Sequence, residues 1–281
     1  MAFPTVLFGP EGEQFNIYAG TRRTNQRLPL GSQLILQDGR KFRWAKAGGA
    51  DLVIGDMIQA AANVANHVNT TAAANAADVR TLTTTLGATA ATIDQYFEGY
   101  GIISVTPGAG QVYKFGSTPV VLASGSFAGT LAAGHAIRVA LTTTSRVDLI
   151  KNPYDNVIQS PITTATGVAV GVALAVIVTS ETGNNWGWLQ TRGIAAILTS
   201  GTVLLGAEVI VPSLGAGSIN AALVTELGTT QSSEQGVGIV QRVAATAAWS
   251  TVVKTNPAIV TDTPGTTDTR AVPRRVTLPL T

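Results

Sequence analysis

The sequence predicts a mainly β protein: two β-barrel-like or sandwich-like domains of short antiparallel strands, with extended N- and C-terminal arms and little helix. Three observations carry that expectation. Short β-branched runs are punctuated throughout by glycine, of which there are 30 in 281 residues, and glycines at such intervals mark corners and close approaches in small barrels and sandwiches. Apolar residues recur at a period of two, as at Ile137, Val139 and Leu141 or at Trp186 and Trp188, which is the spacing of one face of a strand. The dipeptide Asp38-Gly39 stands between two apolar runs, a strong local signal for a hairpin.

The elements follow in order. Residues 1–33 hold Pro4, Pro10 and Pro29 and show no sustained periodicity, so they are expected to form an extended arm. The first β domain is expected over 34–155. It opens with Leu34-Ile35-Leu36, turns at Asp38-Gly39 and returns through Phe42 and Trp44. From 56 to 77 the signals conflict: Met57, Ile58, Ala61, Val64 and Val68 suit a helical stripe, whereas Asn63, Asn66 and Asn69 oppose it. A short element followed by irregular backbone is expected there. Strands are expected over 79–86, 100–105 and 111–115, then through Ile137, Val139 and Leu141, and again at Val147 and Leu149. The cluster Lys151-Asn152-Pro153-Tyr154-Asp155-Asn156 is the clearest turn, and it sets the domain boundary.

The second domain, expected over 156–260, is organised around 162–213. Half of the four tryptophans, Trp186 and Trp188, stand two apart. In a strand both indoles share a face with Gln190 and Arg192, while Gly187, Leu189 and Thr191 face the other way. Two such side chains are candidates for the structural core. Ile194 to Leu198 leads to a turn at 199–202 and a return through Val203-Leu204-Leu205, a plausible hairpin partner. The apolar run 168–178 is about half the roughly 20 residues a membrane helix needs, and it is rich in valine with a central glycine. One or two buried strands fit it better. Later strands are expected at 237–243 and 251–253, and residues 261–281 are expected to be a linker with a final strand.

Composition narrows function. With 12% charged residues, the chain has about half the usual share, which suits a protein packed against copies of itself or a partner. Ten of its eighteen basic residues lie in two groups: Arg22, Arg23, Arg27, Arg40, Lys41, Arg43 and Lys46 near the start, and Arg270, Arg274 and Arg275 near the end. The intervening 47–269 is net acidic, with eight basic and thirteen acidic residues. Arms that lie on an acidic partner surface follow from that asymmetry, with Arg22, Arg23, Arg27, Arg270, Arg274 and Arg275 as candidate contacts, alongside the plainer possibility of solvated basic tails. Specific nucleic-acid binding is not expected, because no basic run exceeds two residues and only Phe42 and Trp44 interleave with them. The start, Met1-Ala2-Phe3-Pro4-Thr5, lacks the pattern of a secretory signal. Synthesis and use in a cytoplasm are expected.

No site for chemistry emerges. The absence of cysteine removes disulfides, thiolate nucleophiles and cysteine-bound zinc. The Gly-x-Gly pairs at 108/110, 215/217 and 236/238 lack the third glycine of a dinucleotide fingerprint. His67 and His135 have no neighbouring ligand or triad partner, and a hydrogen-bonded structural role is the expectation for both. Asp94 and Glu98, four apart, read as a solvated face on a short helical turn. Neither enzymatic activity nor a metal or cofactor is expected.

The series Asp38-Gly39-Arg40-Lys41-Phe42-Arg43-Trp44, then Leu86-Gly87-Ala88-Thr89-Ala90-Ala91-Thr92 leading into Tyr96-Phe97-Glu98-Gly99-Tyr100, then Lys151-Asn152-Pro153-Tyr154, and finally Trp186-Gly187-Trp188-Leu189-Gln190-Thr191-Arg192-Gly193, resembles virion structural proteins of tailed bacteriophages. The likeness extends over most of the chain and rests on structural motifs. The later, glycine-centred half is similar in style to capsid decoration, or cement, proteins. That resemblance implies a β-rich homotrimer on the outer capsid surface of a virion, with the major capsid protein as partner and no membrane contact. Many decoration proteins are much shorter, so a tail-tube, baseplate or fibre subunit of the same virion is the alternative.

Overall fold

A computed structural model describes residues 6–8, 17–18, 26, 28–161, 166–179, 185–199, 208–210, 216–221, 236–243 and 249–252. The chain is mainly β, as expected. Its strands are β1 Val6–Phe8, β2 Gln33–Ile35, β3 Lys41–Lys46, β4 Met57–Gln59, β5 Thr70–Ala72, β6 Thr81–Thr85, β7 Tyr100–Val105, β8 Val112–Ser117, β9 Ser126–Leu131, β10 Arg146–Ile150, β11 Ile158–Gln159, β12 Ala169–Ala173, β13 Trp186–Arg192, β14 Ala195–Leu198, β15 Glu208–Ile210, β16 Asn220–Ala221, β17 Gly236–Val243 and β18 Trp249–Val252.

They form three sheets. A seven-stranded sheet runs β1-β2-β3-β13-β12-β4-β11, β5 to β10 close a barrel in the order β10-β5-β6-β9-β8-β7, and a five-stranded sheet runs β14-β18-β17-β15-β16. The barrel is a single excursion of the chain between β4 and β11. Its interior is filled rather than hollow: Leu82, Ile103, Phe115, Phe127, Val147 and Leu149 are all fully buried. Phe127 lies edge-on to both Phe115 and Tyr96, at 5.7 and 5.8 Å between ring centroids.

The hairpin at Asp38-Gly39 forms as its sequence dictates. Gly39 takes φ +83°, Gly39 N–H donates to the Leu36 carbonyl, and Ile35 pairs with Lys41. Over 56–77 the helical stripe is overruled: β4 and β5 flank a single 3-10 turn, Ala65–His67. The apolar run 168–178 supplies β12, buried at all five positions, and an isolated bridge from Ile177 to Leu52.

Several expectations are corrected. The boundary at 155/156 does not follow the sheets, because the tryptophan strand β13 pairs along its length with β3, which lies far back in the supposed first domain. The arm 1–33 is not wholly outside the fold, since β1 pairs in parallel with β2 and Ile17 is 1% exposed in the core around the tryptophans. No strand forms through Ile137, Val139 and Leu141: Leu141 makes only an isolated bridge to Asn75, Ile137 bonds to the backbone at Asp78 and Val79, and Ile137 and Leu141 are buried in the barrel core while Val139 is exposed. Asp94 and Glu98 sit in successive turns at φ +53° and +55°, a left-handed conformation no helical turn contains. β14 pairs with β18; the partner expected at 203–205 lies outside the described residues, as does 261–281.

Candidate interaction surface

The tryptophan strand is a core element. Trp186 and Trp188 are 7% and 3% exposed, and both face Trp44 of β3. Trp44 stacks on Trp186 at 6.2 Å and meets Trp188 edge-on at 5.0 Å, because the ladder sets Trp188 directly opposite Trp44. Gly187 and Leu189 face the other core, where a side chain at Gly187 would collide with Ile177. A bulge between Gln190 and Arg192 breaks the alternation, so Gln190 is buried and donates to the Arg192 and Ile194 carbonyls while Arg192 is exposed.

Where the seven-stranded sheet meets one end of the barrel, an open groove of about 640 Å³ is lined by Lys46, Gln95, Lys151, Asp155 and Trp186 among others. Lys46 Nζ lies 5.8 Å from the centre of the Trp186 ring and 4.0 Å from Asp155 Oδ1. The Asn156 amide donates to Asp155 Oδ2 at 2.9 Å. Burial pushes the Asp155 carboxyl above its ordinary range, against the opposing pull of Lys46 and Lys151. Glu98 is spent on the same junction: its Oε2 accepts from the Leu30 N–H and the Gln26 amide. These groups tie sheet to barrel, and their hydrogen bonds are made within the chain.

His67 is fully buried. Its Nε2 is 2.8 Å from the Thr89 carbonyl, so it carries the proton there, and Nδ1 accepts from the Tyr96 hydroxyl at 2.5 Å. Burial raises the Tyr96 pKa far above that of a free phenol, which keeps the hydroxyl a donor. His135 accepts from the Lys114 N–H at 3.5 Å. Asp56 is 1% exposed, with Oδ2 accepting from the Val53 N–H. Its Oδ1 has no hydrogen-bond partner and is pressed by the turn at Gly217, where an added Cβ would stand 2.5 Å away. Burial pushes this carboxyl up as well, opposed by the Val53 N–H. Among the described residues no three His, Cys, Asp or Glu side chains gather as a metal would need, and no helix is long and apolar enough to cross a membrane.

The surface feature that stands out is apolar. At the barrel end beside the groove, Ala91 and Val121 exchange two backbone hydrogen bonds, of 2.8 and 2.9 Å. Their side chains are buried in the barrel core, while Val120 and Leu122, which flank Val121 at this isolated bridge, are 68% and 80% exposed, and the nearby Ile93 is 71% exposed. Sequence reasoning misses it because the run Pro119-Val120-Val121-Leu122 shows no alternation of apolar and polar residues; only the register of the Ala91 bridge separates the outward residues from the inward one.

Of the residues singled out from sequence, Trp186 and Trp188 are brought together in the core. Arg22, Arg23, Arg27, Arg270, Arg274 and Arg275 lie outside the described residues. The remaining basic residues of the first group are engaged in the sheet: Arg40 pairs with Asp38, and Arg43 donates to the Gly31 carbonyl. Compared with protein-family models, with curated proteins and with solved structures, the chain matches none of them.

Proposed function

We propose that this chain is a structural protein of a tailed-bacteriophage virion, a decoration or cement protein that adheres to the outer face of the capsid and stabilises the shell. Its partners are then the major capsid protein and further copies of itself in a homotrimer, and it carries no catalytic or cofactor chemistry. The observation that supports this reading best is the distribution of charge. Charged residues are 12% of the chain, yet ten of the eighteen basic ones crowd into 21–46 and 270–275. A sparsely charged β scaffold whose basic residues cluster toward the two ends of its sequence suits attachment, because like-signed groups repeated over many copies meet an acidic surface together, and multivalency supplies affinity that no single contact has.

Antibody-labelled, negatively stained virions test the proposal. Label spread over the capsid is the expected result. The length of the chain favours a second reading, a tail-tube, baseplate or fibre subunit, and label confined to the tail would replace the first reading with that one. Light scattering of the purified protein should give a trimer; a stable monomer at micromolar concentration would count heavily against the assembly proposed.

A further inference from the structure

Backbone geometry brings Lys46, Asp155 and Asn156 together. The Lys46 N–H donates to the Tyr154 carbonyl, and the Lys46 carbonyl accepts from the Val157 N–H, both at 2.9 Å. Residues 155 and 156 are therefore looped out between two bonds to a single residue, and Asn156 takes φ +51° in the turn. Lys46 ends β3 opposite Trp186, and its side chain lies along that indole, with Nζ 5.8 Å from the ring centre. Asp155 is buried next to it. The Asp155 carboxylate touches both neighbours. Its Oδ2 accepts from the Asn156 carboxamide at 2.9 Å, and its Oδ1 lies 4.0 Å from Lys46 Nζ, beyond hydrogen-bond reach. Among the described residues no hydrogen bond is made by Lys46 Nζ or accepted by Asn156 Oδ1.

An amine, a carboxamide and a carboxyl group between them are the parts of an amide exchange: a nucleophile, an electrophilic carbonyl carbon and a group that can carry a proton from one nitrogen to the other. We propose that Lys46 and Asn156 join in an intramolecular isopeptide bond, formed by attack of Lys46 Nζ on Asn156 Cγ with Asp155 as the proton carrier.

Asp155 Oδ1 takes a proton from the Lys46 ammonium, and the freed amine adds to Cγ. The Cγ–Nδ2 bond then breaks. The departing nitrogen, already hydrogen-bonded to Asp155, takes the proton from that carboxyl and leaves as ammonia, which carries off the proton shed by the attacking nitrogen. One ammonium and one carboxamide thus become one secondary amide and an ammonium ion, and no oxidant, reductant or co-reactant is consumed. Burial raises the Asp155 carboxyl above its ordinary range, which favours the protonated form that the leaving nitrogen needs. Attack requires Nζ at about 3 to 3.5 Å from Cγ. Rotation within the flexible four-carbon stem of Lys46 supplies that approach, while the backbone bonds on both sides of Lys46 hold residues 154 and 157 in place. The bond closes a loop over 46–156 that contains the whole barrel, β5 to β10, and fastens β3 to the turn that ends the excursion. It forms once, within the chain, and is independent of which surface the protein adheres to.

Mass spectrometry of the denatured full-length protein tests it, with Lys46→Arg, Asn156→Gly and Asp155→Ala as the variants. The unmodified protein should be lighter than its sequence requires by one ammonia, and a tryptic digest should recover Lys46 and Asn156 in one branched peptide, uncleaved after Lys46. Each variant should keep the full mass of its own sequence. Lys46→Arg retains the cation beside Trp186 and Asp155, and glycine accepts the positive φ of position 156, so these two keep the fold; thermal melts check that they do. Full mass in the unmodified protein overturns the proposal and leaves Lys46 and Asp155 as an ion pair. Loss of ammonia that persists in Lys46→Arg, or that maps within a single unbranched peptide, also overturns it, because Asn156 would then have closed on its own backbone. An undiminished branched peptide in Asp155→Ala would overturn the role given to Asp155.

Discussion

Trp188 and Arg192 lie four positions apart on one strand, and their opposite environments make a sharp comparison. Trp188 is 3% exposed against Trp44, so Trp188→Ala should cost about 3 to 5 kcal/mol through lost contacts and the cavity left behind. Arg192 is exposed beyond the bulge, and Arg192→Ala should cost less than about 1 kcal/mol. Urea denaturation of the two variants checks both; an unchanged midpoint for Trp188→Ala would remove the strand from the core. The tryptophans at i and i+2 made this strand legible in the sequence. Trp44 was not legible as their partner, since only the ladder register, set by pairing across some 140 residues, places it between them. Buried acids offer a second test at this scale. Asp56 and Asp155 have carboxyl pKa values raised by burial. In the folded state they hold protons to higher pH than in the unfolded chain, so their contribution to stability falls as pH rises from about 3.8 through the folded pKa, and grows on acidification over that window. Asp38 and Asp51 are shifted the other way, by hydrogen bonds from Arg40 and Thr179 respectively, and weaken the fold only as pH falls below about 3.8. Stability should therefore increase from pH 7 toward pH 4. Asp56→Asn should flatten that rise, as measured by urea midpoints at intervals from pH 7 down to pH 4; an identical profile in the variant would show that Asp56 does not contribute to it.

At the level of the element, glycines decide what fits in the barrel. Phe115 occupies its interior because Gly101 and Gly129 leave room: a Cβ at Gly129 would stand 2.5 Å from the Phe115 ring and 2.8 Å from that of Phe127, and one at Gly101 would meet Phe115 at 3.0 Å. Gly129→Ala should thus destabilise the protein by about 1 to 3 kcal/mol through overpacking, and Phe115→Leu in the same chain should recover part of the loss. Thermal melts of the single and double variants measure the coupling, and strictly additive losses would refute the steric explanation. The same glycine hid β9 from sequence reasoning. Its inward residues are Phe127, Gly129 and Leu131, and a strand whose central inward position carries no side chain shows no alternation to read. Residues 137–141 show the reverse error, since perfect alternation there belongs to chain that buries Ile137 and Leu141 in the barrel core with only an isolated bridge and no ladder. Where a turn signal fixed the geometry locally, as at Asp38-Gly39, or an apolar run had no alternative to burial, as in β12, the sequence was sufficient. Alternation alone was not, because it records which side chains face inward and not whether the backbone finds a partner.

The whole molecule is joined by contacts that local patterns cannot carry. The barrel occupies one excursion between β4 and β11, and the sheet on either side is assembled from strands before and after it, so the turn cluster at 151–156 marks the end of the excursion and not a seam between independent halves. The N-terminal segment belongs to this long-range assembly too. It has no periodic apolar face, which is why it reads as an arm, but individual anchors hold it: Val6–Phe8 adds a strand to β2, Ile17 is 1% and Leu30 7% exposed in the tryptophan core, and the Leu30 N–H is bonded to Glu98 below the barrel. Deleting residues 1–30 should therefore destabilise the fold. Two buried aliphatic side chains contribute roughly 1.5 to 3 kcal/mol each, a large part of the about 5 to 15 kcal/mol that holds an ordinary domain together. Ile17→Ala alone should lower stability by about 2 to 5 kcal/mol, and the deletion by more. Urea denaturation of both proteins separates an anchored segment from a free one: midpoints equal to that of the intact chain would show that residues 1–30 act only as an arm, whereas a fall already present in Ile17→Ala would locate the anchor in the tryptophan core.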